Sequence, residues 1–240
     1  ADVQIIRYQI PGFDELKPRQ KAFVYYLVQA GLAGRDILWD QNYRHNLSIR
    51  RALEAIMSGE QGSGDEWDAL STYARRVFFS NGIHHHYAGD KFIPGFSREY
   101  FEGLTNELGM NLSAEAMDAM FDPEFDNKKV NLDPDKGLLL GSAVNFYDPD
   151  ITEAEVDAYY ETIKVKADTT PISYGLNSKM VRCADGGIKK EVYKLGGLYG
   201  DAIEKIIYWL EKAKGVAEND KQAEAFGLLI DYYKTGSLET

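Results

Sequence analysis

The sequence predicts a mostly α-helical α+β fold with a small antiparallel β element, a hairpin or partial barrel. Three observations carry this. Apolar stripes at helical spacing, many opened by their own capping residues, recur through most of the 240 residues. One tight Asp185-Gly186 turn separates residues 180–183 from residues 188–193, the arrangement of a β-hairpin. The composition, 44% hydrophobic and 27% charged, is that of a globular chain. No repeat, low-complexity tract or clear boundary divides the chain, so residues 1–240 are expected to form a single domain.

In chain order, residues 3–10 alternate weakly, as a short strand or an extended arm would. Pro18 suits the first position of a helix, and Phe23, Leu27, Ala30 and Ile37 share one face through about Leu38. A polar break over residues 40–46 precedes a second helix marked by Leu47, Arg50, Leu53, Ile56 and Met57, with residues 59–64 as its loop. Ser63-x-x-Glu66 has the form of a capping box for a third helix, which carries Trp67, Leu70, Tyr73, Ala74, Val77 and Phe78 and stops at Asn81-Gly82. Ser97 caps a fourth helix, to about Leu108, and Ser113 a short fifth. Residues 121–137, with Pro123 and Pro134, read as a long loop, and the apolar residues 138–146 as a buried strand.

Thr152-x-x-Glu155 is a second capping box, for a helix to about Thr162. Residues 163–193 then lose helical periodicity, through Thr169, Thr170 and Pro171 to the hairpin. Ile203, Ile206, Ile207 and Leu210 form one stripe, and Phe226, Leu229, Ile230 and Tyr233 the next. Asn219-x-x-Gln222 caps the second of these two helices, Gly236 ends it, and the pair should pack antiparallel across residues 215–219.

Several function classes are disfavoured at once. A net charge of −11 argues against nucleic acid and against an anionic membrane surface, both of which attract Lys and Arg. The longest uncharged apolar stretch, residues 23–34, is too short to span a bilayer. Cys183 is the only cysteine, which excludes an intrachain disulfide and a cysteine zinc cluster. It fits a cytoplasmic setting, with the periplasm as the second choice. The N-terminus carries no signal-peptide pattern; it also lacks Met, as after removal of a leader or tag. His-Glu-x-x-His, Walker A, G-x-S-x-G and G-x-G-x-x-G are all absent.

The segment that stands out is residues 82–94, Gly-Ile-His-His-His-Tyr-Ala-Gly-Asp-Lys-Phe-Ile-Pro. It holds three of the four histidines between a helix stop and Pro94. On an extended backbone His84 and His86 face one side and His85 the other. Three readings follow: lining of a substrate groove, a polar segment bonded to backbone and water, or a metal site. The last needs more ligands than the two of a His-x-His pair, and Asp90 is the nearest further candidate. Residues 83–90 are expected at the surface, because imidazoles suit a dry core poorly without partners. Asp122, Glu124, Asp126 and Asp133 imitate part of a calcium loop, but Asn127 stands where such a loop needs glycine, and an ordinary acidic loop is the simpler reading.

Residues 77–94, Val-Phe-Phe-Ser-Asn-Gly-Ile-His-His-His-Tyr-Ala-Gly-Asp-Lys-Phe-Ile-Pro, resemble a segment of the zinc dipeptidyl-peptidase III family in its bacterial form. The family pattern is Ser-Asn, a polar and aromatic stretch, then Asp, Lys-Phe, a β-branched residue and Pro. Residues 210–219 are similar to its Leu-Glu-Lys-Ala-x-x-x-Ala-x-Asn segment, and residues 232–239 to the sequel ending Thr-Gly-Ser-Leu-Glu. Residues 20–27 and the hairpin agree more loosely, so the resemblance runs from about Ile5 to the last residue.

The resemblance implies an exopeptidase that removes dipeptides from the N-terminus of short oligopeptide substrates, with two lobes around a cleft. It also implies zinc as cofactor of the full-length enzyme, held by a His-Glu-x-x-x-His helix and a later glutamate in the upper lobe. None of those ligands is in this sequence, so no metal is expected in this chain itself. The chain therefore reads as the N-terminal, non-zinc lobe, inactive alone, with the zinc-binding lobe and an oligopeptide as its partners. By position, the implied substrate-binding residues are His84, His85, His86, Tyr87 and Asp90. Two competing readings stand beside this: a free-standing helical module that binds proteins or peptides without catalysis, and a small metal-binding protein.

Overall fold

In the computed structural model of this protein, the described residues are 4, 6–59, 62–164 and 172–239. Nine α-helices and one two-stranded antiparallel sheet lie among them, which is the mostly helical α+β fold expected. The helices are α1 (Pro18–Ala33), α2 (Arg35–Asn42), α3 (Asn46–Ser58), α4 (Asp65–Ser80), α5 (Arg98–Glu107), α6 (Ala114–Phe121), α7 (Glu153–Ile163), α8 (Gly200–Gly215) and α9 (Asp220–Thr235). The hairpin strands β1 (Ser178–Arg182) and β2 (Ile188–Val192) pair around the Asp185-Gly186 turn, with Met180 opposite Lys190. No described helix is long and apolar enough to cross a membrane.

Local chemistry explains most of these boundaries. Ser97, Ser113, Thr152 and Asn219 each accept the backbone N–H three residues on, so four helices begin where their caps stand. At the far end of α4, Asn81 takes the left-handed conformation, and Gly236 does the same after α9.

Three expectations are corrected. The first helix does not run on to Leu38; it breaks at Gly34, whose backbone comes so close to Ile206 that a Cβ would meet its side chain at 3.3 Å. Glu66 closes no capping box, because its carboxylate instead accepts the backbone N–H and the hydroxyl of Ser97 at 2.9 and 2.6 Å and pins the start of α5. Residues 138–146 form turns rather than a strand. The Asn131 amide donates to the carbonyls of Asp133 and Gly137 and curls the chain there, leaving Leu138 and Leu140 half exposed. Gln4 and residues 6–10 have no regular structure, while the rest of the weakly alternating segment, Val3 and Ile5, lies outside the described residues, as do Glu60, Gln61, Thr169, Thr170 and Pro171.

The chain falls into two compact units, which part inside α2 and again after Asn145. The first, residues 38–145, holds a core of Trp39, Tyr43, Ile49, Leu53, Leu70, Val77, Ile83, Phe96, Phe101 and Met120. The second, residues 6–37 and 146–240, packs α1 and α9 against α8 around Ala30, Ile203, Ile206, Ile207, Leu210 and Ile230.

In the first unit one buried side chain decides how the chain leaves α4. The Asn46 amide donates to the carbonyl of Trp39 at 3.0 Å and accepts the N–H of Ile83 at 3.1 Å. The Ile83 N–H is a buried main-chain donor that would otherwise be stranded, while the Trp39 carbonyl accepts the Tyr43 N–H as well, at 3.3 Å. Gly82 makes room for this amide. Its φ is +152°, and a Cβ there would lie 2.9 Å from Asn46 Cγ. Gly82→Ala should therefore destabilise the protein by about 2 kcal/mol or more through strain and the lost amide geometry, and Asn46→Ala by a similar amount. Urea unfolding of the two variants checks this; a midpoint like that of the wild type for either would remove the lock from the account.

Candidate functional site

The lock delivers the chain into the histidine segment, where a small antiparallel ribbon forms. His84 pairs with Lys91, and Asp90 with Lys128. The N–H of His85 reaches the carbonyl of Asp90 at 2.7 Å, and that of Phe92 the carbonyl of Ile83 at 2.8 Å. On the far side, the N–H of Lys129 meets the carbonyl of Gly89 at 2.7 Å, and residues 143 and 144 donate to the carbonyls of Lys128 and Lys129. Residues 85–90 are the turn of this ribbon.

His84 is the inner anchor, only 3% exposed, and Ile83 is fully buried. Both correct the expectation that residues 83–90 lie at the surface. His84 Nε2 stands 2.7 Å from the carbonyl oxygen of Asp126. A carbonyl only accepts, so Nε2 carries the proton and Nδ1 is bare. That Nδ1 is buried with no hydrogen-bond partner among the described residues. Burial, with some help from the nearby Lys91 charge and against the pull of the Asp126 carbonyl, pushes the imidazole pKa down to about 4. The ring sits edge-on to Tyr43, 5.2 Å between centroids.

Asp126 gathers the neighbours. Its carboxylate accepts the Tyr43 hydroxyl at 2.7 Å and pairs with Arg44 at 2.9 Å, and Arg44 also pairs with Glu115. Burial and the Asp126 bond hold the Tyr43 phenol far above its ordinary pKa, so it stays a neutral donor. The acidic loop that imitates a calcium site has a different centre. The Lys91 side chain, largely buried, donates its ammonium to the carbonyls of Asp122 and Phe125, with the charges of Asp122, Asp126 and Glu124 around it. A protein cation occupies the middle of this loop.

The remaining predicted residues lie outward. His85 Nδ1 accepts the N–H groups of Tyr87 and Ala88 at 3.2 and 3.1 Å, which fixes the turn and leaves the ring proton on Nε2. The His85 and His86 rings stack at 4.6 Å, and His86 Nδ1 lies 3.4 Å from the Ser80 hydroxyl. His84 and His86 thus do not share a face, because the chain turns immediately after the His84–Lys91 pair. Tyr87 is 90% exposed, and Asp90 forms an ion pair with Lys128. The structure brings His85, His86, Tyr87 and Asp90 together on one exposed turn and places His84 behind them.

Sequence reasoning missed Tyr43, Arg44, Lys91, Asp126 and Lys128 as partners of this turn. For Lys91 and Asp126 a signal existed, the basic residue beside the histidines and the calcium-like acid spacing, but the separation in sequence hid their meeting. Among the described residues no three His, Cys, Asp or Glu side chains gather to hold a metal ion. In the histidine turn, His84 Nε2 is engaged by the Asp126 carbonyl and His85 Nδ1 by two backbone N–H groups, so among the described residues the turn does not fit the zinc that the resemblance implies for the full-length enzyme.

No family model and no curated protein matches the chain. Solved structures do. The chain is similar to DPP III from Caldithrix abyssi, with a TM-score of 0.58 and 18% identity over 94% of this chain and 32% of that one. It is similar also to dipeptidyl-peptidase III from Corallococcus sp. strain EGB, with a TM-score of 0.60 and 13% identity over 97% of this chain and 33% of that one. At such identities the likeness is one of fold, and the chain spans about a third of the length of these proteins.

The anchor makes a pH prediction. His84 binds its proton near pH 6.5 when unfolded and near 4 when folded, so below pH 6.5 the unfolded chain takes up more protons and stability falls as the pH drops. The 2.5-unit difference, 6.5 minus 4, sets a loss on the order of 3 kcal/mol at most between pH 7 and pH 4. Denaturant melts of the wild type and of His84→Gln at both pH values should show a clearly shallower dependence in the variant. Parallel pH curves would show that His84 does not titrate in this way.

Proposed function

We propose that this chain is the N-terminal, substrate-binding lobe of a zinc-dependent dipeptidyl peptidase, which releases dipeptides from the N-terminus of short peptides. The catalytic zinc belongs to a part of the enzyme other than this chain. The observation that carries the reading is the match of nearly the whole chain, 94% and 97%, to about a third of two dipeptidyl-peptidase III structures. The two units together are then one lobe. The cytoplasm is the proposed compartment, with the periplasm second.

Within that reading the exposed turn supplies the contacts to the peptide. The His85 Nε2–H and the Tyr87 hydroxyl are donors for substrate carbonyls. The His86 ring offers a π face, and Asp90 is an acceptor for peptide N–H groups. These contacts are blind to most side chains, as suits a peptidase acting on many sequences. His84 is a positioning residue: its bond to the Asp126 carbonyl and the Lys91 pairing hold the turn in place. No step of hydrolysis is assigned to any residue here, since activating water at neutral pH calls for a metal with an open position or an equivalent base.

Two measurements test this. The purified chain, given a dipeptidyl-naphthylamide and zinc, should show no chelator-sensitive turnover; robust turnover would refute the lobe reading. In the longer enzyme, His86→Ala and Tyr87→Phe should each lower kcat/KM about 5- to 30-fold, a loss of about 1–2 kcal/mol of transition-state binding, at unchanged zinc content and melting temperature. Wild-type kinetics in both variants would reduce the turn to a connector, and lost zinc would revive the metal reading of the histidines.

A further inference from the structure

Helix α1 is apolar on both sides. Its inner side is accounted for: Phe23 meets Phe226 edge-on at 5.4 Å, and Leu27, Ala30 and Ala33 join the core against α8. Its outer side carries Val24, Tyr25, Val28 and Leu32 at helical spacing, with Val28 51% and Leu32 55% exposed. No charged residue occurs anywhere from Ala22 to Gly34. The stripe continues onto α8, where Tyr25 touches Trp209 at 6.0 Å and Trp209 touches the half-exposed Tyr208 at 5.0 Å. A helix that is apolar all round belongs inside a protein, and a continuous apolar strip on a surface marks an interface.

We infer that this face, Val24, Tyr25, Val28 and Leu32 of α1 with Tyr208 of α8, is where the zinc-bearing remainder of the peptidase packs, presenting an uncharged apolar surface of its own. The inference rests on the function proposed above. Two points select this occupant over a second copy of the chain. The chain corresponds to only a third of either similar structure, so under that reading about two thirds of the enzyme is available to cover exposed faces. A second copy would instead bring together two bodies of formal charge −11 each, a net repulsion that opposes self-association.

The test compares Val28→Glu and the milder Leu32→Gln in this chain alone and in the longer enzyme. In this chain alone both sites face water, so each melting temperature should stay within about one or two degrees of wild type. In the longer enzyme each should fall by several degrees, because a charge or an amide is then buried without a partner. Tolerance of both substitutions in an active longer enzyme overturns the inference and leaves the proposed function standing. A dimer of this chain in sedimentation, split by Val28→Glu, overturns it in favour of a second copy. A longer protein that releases no dipeptides overturns the proposed function, and the inference falls with it.

Discussion

Unit 1 depends on a carboxamide with no access to water. Asn46 must satisfy both ends of its side chain inside the protein, and it does so with the carbonyl of Trp39 and the N–H of Ile83. One bond secures the end of α2 and the other fixes the exit from α4. Everything downstream inherits that exit. Ile83 enters the core, His84 is delivered to the carbonyl of Asp126, and only then does the chain turn outward with His85, His86 and Tyr87. Such an arrangement is costly to perturb, since a buried N–H such as that of Ile83 loses its side-chain partner when Asn46 is changed.

The same logic separates what the sequence reveals from what it hides. The helices are legible because their signals are local. Ser97, Ser113, Thr152 and Asn219 each cap the turn that follows them, and the apolar stripes beyond need no distant partner to be recognised. Legibility ends where a distant group competes. Glu66 looks like a capping residue for its own helix until Ser97, 31 positions away, takes the carboxylate. Residues 138–146 look like a strand until Asn131 draws the chain into turns. In the histidine segment the outward turn is half visible from Asn81-Gly82 and Pro94. The division of labour among the histidines is not, because it is set by Lys91 and Asp126 through pairings that adjacent letters do not encode.

Unit 2 shows a different balance. The helical core, with α8 packed between α1 and α9, is built from apolar contact, and buried Asn177 adds a bond to the Gly236 carbonyl at its margin. Dispersion and burial are not directional, so such a core tolerates exchange of one apolar residue for another of similar size. Arg19 is an exception at its edge, where the guanidinium spans the carbonyls of Val216 and Ala217 and closes the link between α8 and α9 against the start of α1.

Lys91 has a consequence for how the protein meets its surroundings. A loop that gathers carbonyls and carboxylates around a dissolved ion is a sensor, since its shape follows the concentration of that ion. Here the ion is part of the polypeptide, tethered by a side chain and delivered by the same ribbon that carries the histidines. Its position is fixed by the fold and does not depend on the ions in solution. Residues 122–126 can thus keep their shape through swings in cellular calcium and in the presence of chelators, which makes them a constant wall for the turn beside them rather than a gauge of ionic conditions.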